Sequence, residues 1–182
     1  VEEFLDQLYV LDRDSHRLVN QAILVLERNG PAEGRPLVDS ITASRLSNLK
    51  ELRPPSAGRT EIRILFVFEG TAGGEPMSGV KRWRDTTHLD RAIDTAGGPR
   101  AFEAEVGEML DHARGWRLAE LRKRREMTQE QVASRMGVSV ARVSQIEAGN
   151  VATQEVLARY IGALGGTLKL IADFGDEQLK VA

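Results

Sequence analysis

The sequence predicts an α+β N-terminal part, two helices plus an antiparallel hairpin, followed by an all-α helix-turn-helix bundle with a C-terminal β element. Three observations carry this. Apolar residues at helical spacing fill the first thirty positions and then give way to β-branched and aromatic residues in TEIRILFVF. A stretch with four glycines and a proline, EGTAGGEPMSG, interrupts the chain after Phe68. Beyond it, TQEQVASRMGVSVARVSQIEAGN meets every spacing requirement of a helix-turn-helix.

The first helix is read from Phe4, Leu5, Leu8 and Leu11, which share one face. Asp12 or Asp14 caps the second, whose stripe is Leu18, Ala22, Val25 and Leu26, and Asn29-Gly30-Pro31 stops it. A strand-like segment through Leu46, Leu49 and Leu52 then runs into Pro54-Pro55. After the turn SAG, Ile62, Ile64, Phe66 and Phe68 alternate onto one face of a second strand.

The motif RLSNLKELRP, a turn and EIRILFVF resembles the RelE/HigB-like toxins, small ribosome-associated ribonucleases of bacterial toxin–antitoxin pairs; the likeness covers about residues 1–68. The resemblance implies that strand cations grip mRNA and offset charge during cleavage. Arg63 takes the position of the family's central-strand Arg, and Lys50 and Arg53 lie where further basic residues occur. The same three residues also suit the polar faces of amphipathic strands. The chain departs from the family in showing no strand before the first helix and none after Phe68, so the RelE-like sheet is expected to be incomplete and catalysis most in doubt.

EGTAGGEPMSG has a linker's composition, and Met77 with the basic, Trp-containing segment after it reads as the start of a second coding sequence or as an ordinary loop methionine. THLDRAIDTAGGPR holds a short helix that stops at Gly97-Gly98. Pro99 opens another over 99–114, with Phe102, Val106, Met109 and Leu110 on one face. A further helix from Trp116 to Glu126 turns Leu118 and Leu121 inward and Arg117, Arg122, Lys123, Arg124 and Arg125 outward.

Thr128 is an N-cap with Gln131 completing a capping box, and Gly137 supplies the left-handed corner. Counted from Gln129, a small residue (Ala133) stands fifth, glycine ninth, and apolar Val143 and Ile146 fifteenth and eighteenth. Helices crossing this closely need the small residue, and the late apolar pair locks the third helix onto the second. Val132, Met136 and Val138 fill the remaining core slots. TQEQVA, MGVS and VSQIEAG resemble the XRE/Cro repressor family, HigA-type antitoxins included, over about 114–165.

Docking geometry then selects the readers. A recognition helix over 139–148, capped by Ser139, enters the major groove N-terminus first. Val140, Ala141 and Arg142 meet base edges, Gln145 follows one turn on, and Ser144 contributes. Arg142 suits guanine, Gln145 suits adenine, and Val140 or Ala141 a thymine methyl. The resemblance implies a phosphate contact by Gln129, beside the cap Thr128, and Asn150 is a further backbone candidate. Arg122 to Arg125 lie on a helix facing either the DNA backbone or only solvent, and Glu147 is expected to pair with a nearby Arg.

QEVLARYIGALGG completes the bundle through Val156, Leu157, Tyr160, Ile161 and Leu164. TLKLIADF alternates Leu168, Leu170, Ala172 and Phe174, turns at Gly175-Asp176, and EQLKVA pairs back. In HigA-like regulators such an element helps dimerisation. The expected domains are therefore 1–68 (toxin-derived), 69–78 (linker), 79–113 (helical segment), 114–165 (helix-turn-helix) and 166–182 (β element).

Net charge is −2, yet residues 114–160 carry +4 while 1–76 carry −3, so a polyanion site is sought in the former. Cysteine is absent, which excludes disulfides and thiol chemistry and suits a cytoplasmic protein. No apolar run is long enough to span a bilayer. His16, His88 and His112 lack ligand spacing, with His88 and His112 expected at the surface; no metal or cofactor is predicted. The expectation is a DNA-binding repressor or antitoxin of a toxin–antitoxin system, acting as a homodimer on a double-stranded operator, with a cognate toxin or the chain's own toxin-like part as protein partner. The alternative is a self-inhibited fusion whose residues 1–76 retain ribosome-dependent mRNA cleavage.

Overall fold

The computed structural model describes residues 2–30, 33–42, 49–56, 61–67, 86–150, 153–173 and 178–181. Leu46, the whole glycine-rich seam with Phe68 and Met77, and the turn at Phe174 to Asp176 lie outside the described residues. The chain forms two compact units, Val1–Leu110 and Asp111–Ala182.

The first unit opens with α1 (Glu2–Tyr9) and α2 (Arg13–Asn29). Asp12, not Asp14, caps α2, accepting from the Ser15 N–H, and Gly30 ends it at φ 59°. Three short strands follow, β1 (Val38–Ser40), β2 (Leu49–Leu52) and β3 (Ile64–Val67), in an antiparallel sheet of order β1-β2-β3. Val38 stands opposite Leu52, and Leu52 opposite Ile64. The expected hairpin is thus two strands of a three-stranded meander. β1 escapes sequence reading because three residues just after Pro36 are too few to display a period. Leu8 and Val19 are buried with Phe4, Leu11, Ile23, Ile62 and Ile64 packed on them, which is how the two helices cover the sheet.

Helix α3 (His88–Ala96) and the first half of α4 (Pro99–Arg124) complete this unit. Gly97, in the left-handed conformation, ends α3 as expected. His88 is not a surface loop residue: it begins α3 at 1% exposure, with its Nδ1 3.1 Å from Nε2 of His16. Tyr9 packs its ring on His88 at 4.2 Å between centroids. His112 is exposed, as expected. The helix α2 is therefore buried well beyond its predicted stripe, through His16, Asn20 and Gln21 as well as Val19, Ala22 and Val25.

Burial, with Arg91 and His88 close by, pushes the His16 imidazole down to about 4. A lowered folded value means that the unfolded chain takes up the proton first. The stability that neutral His16 gives is complete above its ordinary value of 6.5 and falls as the pH drops towards 4. We expect a loss of about 3 kcal/mol at most across that window. Thermal unfolding of the full chain between pH 7 and 5, above most carboxylate titration, should show it, and His16→Gln should flatten the slope.

Between Pro99 and Arg124 the helix is continuous, not two helices meeting near Gly115. Gly115 is there for approach, not for a break. A Cβ on it would stand 2.4 Å from the Gly149 nitrogen and 2.6 Å from the Glu147 carbonyl oxygen. Gly149, at φ 94°, closes equally on the backbone of Asp111 and His112. Backbone cannot move aside as a side-chain tip can, so Gly115→Ala should cost about 1–3 kcal/mol or more in denaturant unfolding.

The second unit continues with α5 (Gln129–Met136), α6 (Val140–Glu147) and α7 (Gln154–Ala163), then β4 (Ile171–Asp173) paired antiparallel with β5 (Gln178–Lys180). Leu118, Val132, Ala133, Met136, Val143, Ile146, Tyr160, Ala163 and Leu164 form one buried cluster. Leu121, expected inward, is 41% exposed because the continuous α4 turns it off this core. Leu168, Leu170 and Ala172 are half-buried while Lys169 and Ile171 are exposed, the expected alternation. Among the described residues no helix is long and apolar enough to cross a membrane.

Candidate nucleic-acid interface

Local chemistry sets the corner between α5 and α6. The Thr128 hydroxyl accepts from the Gln131 N–H while the Gln131 side chain accepts from the Thr128 N–H, a complete capping box. Gly137 ends α5 at φ 64°, ψ 39°, and Ser139 caps α6 by accepting from the Arg142 N–H. The fully buried Val143 and the nearly buried Ile146 hold α6 from below. Its opposite face is therefore free for solvent or a ligand.

Val140, Ala141, Ser144 and Gln145 are exposed on that face, and Arg142 is half-exposed beside them. Arg142 Nη1 donates to Gln145 Oε1 at 3.3 Å, so the two expected base readers lie side by side. Asn150 is exposed just past the helix, its backbone N–H donating to the Gln145 carbonyl at 2.9 Å. Thr128 is exposed and Gln129 half-buried at the start of α5.

One hub ties these helices together. Glu147, at the end of α6, accepts from Arg122 Nε at 2.7 Å and Nη2 at 2.9 Å, from Tyr160 Oη at 2.6 Å and from Gln129 Nε2 at 2.9 Å. Arg122 also donates to the Met127 carbonyl. Arg122 is thus not turned outward with the rest of its basic run. Its side chain is 13% exposed and that of Glu147 6%. Burial alone would push the Glu147 carboxyl up, but the hydrogen bonds from Arg122, Tyr160 and Gln129 outweigh it and hold it below its usual range. Burial, with the bond to Glu147, pushes the Tyr160 phenol up. The Gln129 amide, expected on a phosphate, gives one of its two N–H groups to this hub and keeps the other.

Two further arginines were not foreseen. Arg159 donates to the Met136 carbonyl at 2.6 Å, and Arg135 to the Ala163 carbonyl at 2.9 Å. Each closes the C-terminal end of the other's helix, where carbonyls lack partners. Neither carries a sequence signal, because each partner is more than twenty residues away.

The toxin-like cations sit differently. Arg53, just past β2, bonds Glu51 at 2.6 Å and lies 3.1 Å from Asp39. Arg63, just before β3, bonds Glu51 and Glu61. Hydrogen bonds from Arg53 and then Arg63 hold the Glu51 carboxyl below its usual value against the opposing effect of burial. Lys50 is half-buried on β2. Arg53 and Arg63 are thus brought together, but around a carboxylate.

Comparison with known proteins follows the same division. Residues 6–72 match the family described as phage derived protein Gp49-like, and residues 118–171 match helix-turn-helix. A Mycobacterium tuberculosis protein named as the toxin HigB2 is 55% identical over 97 residues, 53% of this chain and 48% of its own length. One named as the toxin HigB3, from the same organism, is 45% identical over 83 residues, 42% of this chain and 70% of its own. One named as the antitoxin HigA3, also from M. tuberculosis, is 39% identical over 108 residues, 58% of this chain and 98% of its own. The chain thus spans about half the length of HigB2. The chain belongs to the HigB–HigA toxin–antitoxin family, with a HigB-like toxin region at its N-terminus and an XRE-type helix-turn-helix of antitoxin kind at its C-terminus.

Proposed function

We propose that the chain is a sequence-specific DNA-binding repressor of the antitoxin kind, which reads a double-stranded operator as a homodimer with residues 139–148 in the major groove. The observation that carries this is the face of α6: Val140, Ala141, Arg142, Ser144 and Gln145 stand together over a core that fixes the helix. Thr128, Gln129 and Asn150 flank it as backbone contacts. The likeness to a protein named as antitoxin HigA3 over nearly its full length supports the same reading.

In this reading the toxin-derived domain ends near residue 68 and the antitoxin-like part begins near residue 79. Ribosome-dependent mRNA cleavage by the N-terminal part is not favoured, because Arg53 and Arg63 already face carboxylates that would oppose an RNA phosphate. The direct test is a mobility-shift titration of the full chain on DNA from its own promoter. Affinity should fall steeply and log-linearly with salt. Absence of any shift at low salt would refute the proposal.

A further inference from the structure

We infer that Arg142 and Gln145 read DNA as one unit that offers only donors, so that Gln145 selects an acceptor edge, guanine before thymine, beside the guanine read by Arg142, and not the adenine expected of a free glutamine. This rests on the reading of α6 as the recognition helix.

A glutamine amide has an acceptor end and a donor end, and its shape does not tell them apart. Here the neighbour decides. Arg142 Nη1 stands 3.3 Å from one end of the Gln145 amide. A guanidinium carries donors and no acceptor, so the atom facing it can only be the carbonyl oxygen. The amino end of Gln145 is thereby turned away from Arg142. The pair has a firm base. Positions 142 and 145 lie about one turn apart on one face of the helix. Val143 and Ile146, buried beneath, hold the backbone between them, and Ser139 fixes the start of α6 by accepting from the Arg142 N–H. Both side chains still reach solvent.

The ends that remain set the reading. A free glutamine reads adenine with both ends: its oxygen accepts from the N6 amino group and its nitrogen donates to N7. In this pair the oxygen already accepts from a cation. An adenine amino group brought to the same oxygen would set its own N–H groups against those of the guanidinium. The Gln145 nitrogen meets no such conflict when it donates to an acceptor. Guanine presents acceptors at both O6 and N7, and thymine presents O4. Arg142 keeps its other N–H groups for its own guanine. Side chains that hold each other in the free protein also lose less freedom on binding.

The experiment uses the full chain and duplexes built on the site it selects from a random pool. Each base pair is placed in turn at the position that Gln145→Ala ceases to discriminate, and anisotropy at matched salt reads the affinities. Wild type should favour guanine over adenine there by about 5- to 100-fold. In place of that guanine, 7-deazaguanine, which lacks the N7 acceptor, should lose part of the preference. In Arg142→Ala the amide is released, and the preference at the same position should pass to adenine. A merely structural contact would move no base preference. Adenine favoured by wild type would overturn the inference, as would a preference that Arg142→Ala leaves where it was, or no position at which Gln145→Ala changes discrimination. A wild type that binds every duplex alike, or none, would instead refute the proposed function and this inference with it.

Discussion

Arg142→Ala should weaken binding to the operator by about 10- to 100-fold, the worth of one bidentate contact to a base, while binding to random DNA changes little. The asymmetry follows from position. Arg142 stands on the exposed face of α6, and its guanidinium bonds Gln145 along that face. Removing it leaves the buried cluster of Val143 and Ile146 untouched. Gln145→Ala should act in the same direction, and the double variant should lose less than the two losses combined, because the two side chains touch. Fluorescence anisotropy on specific and scrambled duplexes at matched salt separates the outcomes. Equal loss on both duplexes would remove Arg142 from base reading and leave it a phosphate contact.

The largest effect on stability should come from Glu147→Ala. The carboxylate is the common acceptor for Arg122, Tyr160 and Gln129, and its removal leaves a guanidinium in a nearly closed site. Breaking a buried pair from one side costs about 3–5 kcal/mol. Unfolding of the second unit should shift accordingly in urea, and DNA binding should fail with it, because α6 loses its tie to α4 and α7. Tyr160→Phe, which removes one donor and leaves the pair, should cost about 1 kcal/mol. The Glu147 carboxyl titrates below its usual range, so its stabilisation is present above the unfolded value and is lost as the pH falls through the lowered one. A small effect of Glu147→Ala together with undiminished DNA binding would show that α6 is held by its apolar contacts alone.

The helix-turn-helix could be read in advance because everything that makes it is local. Thr128 caps Gln131 three residues on, Gly137 turns the corner where it stands, and Ala133, Val143 and Ile146 fall at distances set by helix geometry. Where partners are distant in sequence the reading stopped short. Glu147 was expected to meet an arginine, but Arg122 is 25 residues away and Tyr160 is 13, and nothing in the pattern names them. His88 is expected on a surface loop, yet it is buried against His16, 72 residues earlier. The helices expected over 99–114 and from Trp116 to Glu126 are one, and Gly115 between them admits a close backbone instead of ending a helix. Of the toxin-like cations only Lys50 lies on a strand, β2; Arg53 falls just past it and Arg63 just before β3, an edge strand, and the carboxylates Asp39 and Glu51 that meet the two arginines carry no sequence signal.

The central claim is that the exposed face of α6 reads DNA sequence. Selection of bound duplexes from a random pool by the full chain tests it most directly. The account predicts enrichment of one palindromic site with half-sites about one helical turn apart, guanine recurring where Arg142 falls, and loss of that guanine preference in Arg142→Ala. A pool that stays random after repeated selection, or an enriched site that Arg142→Ala selects unchanged, would contradict it.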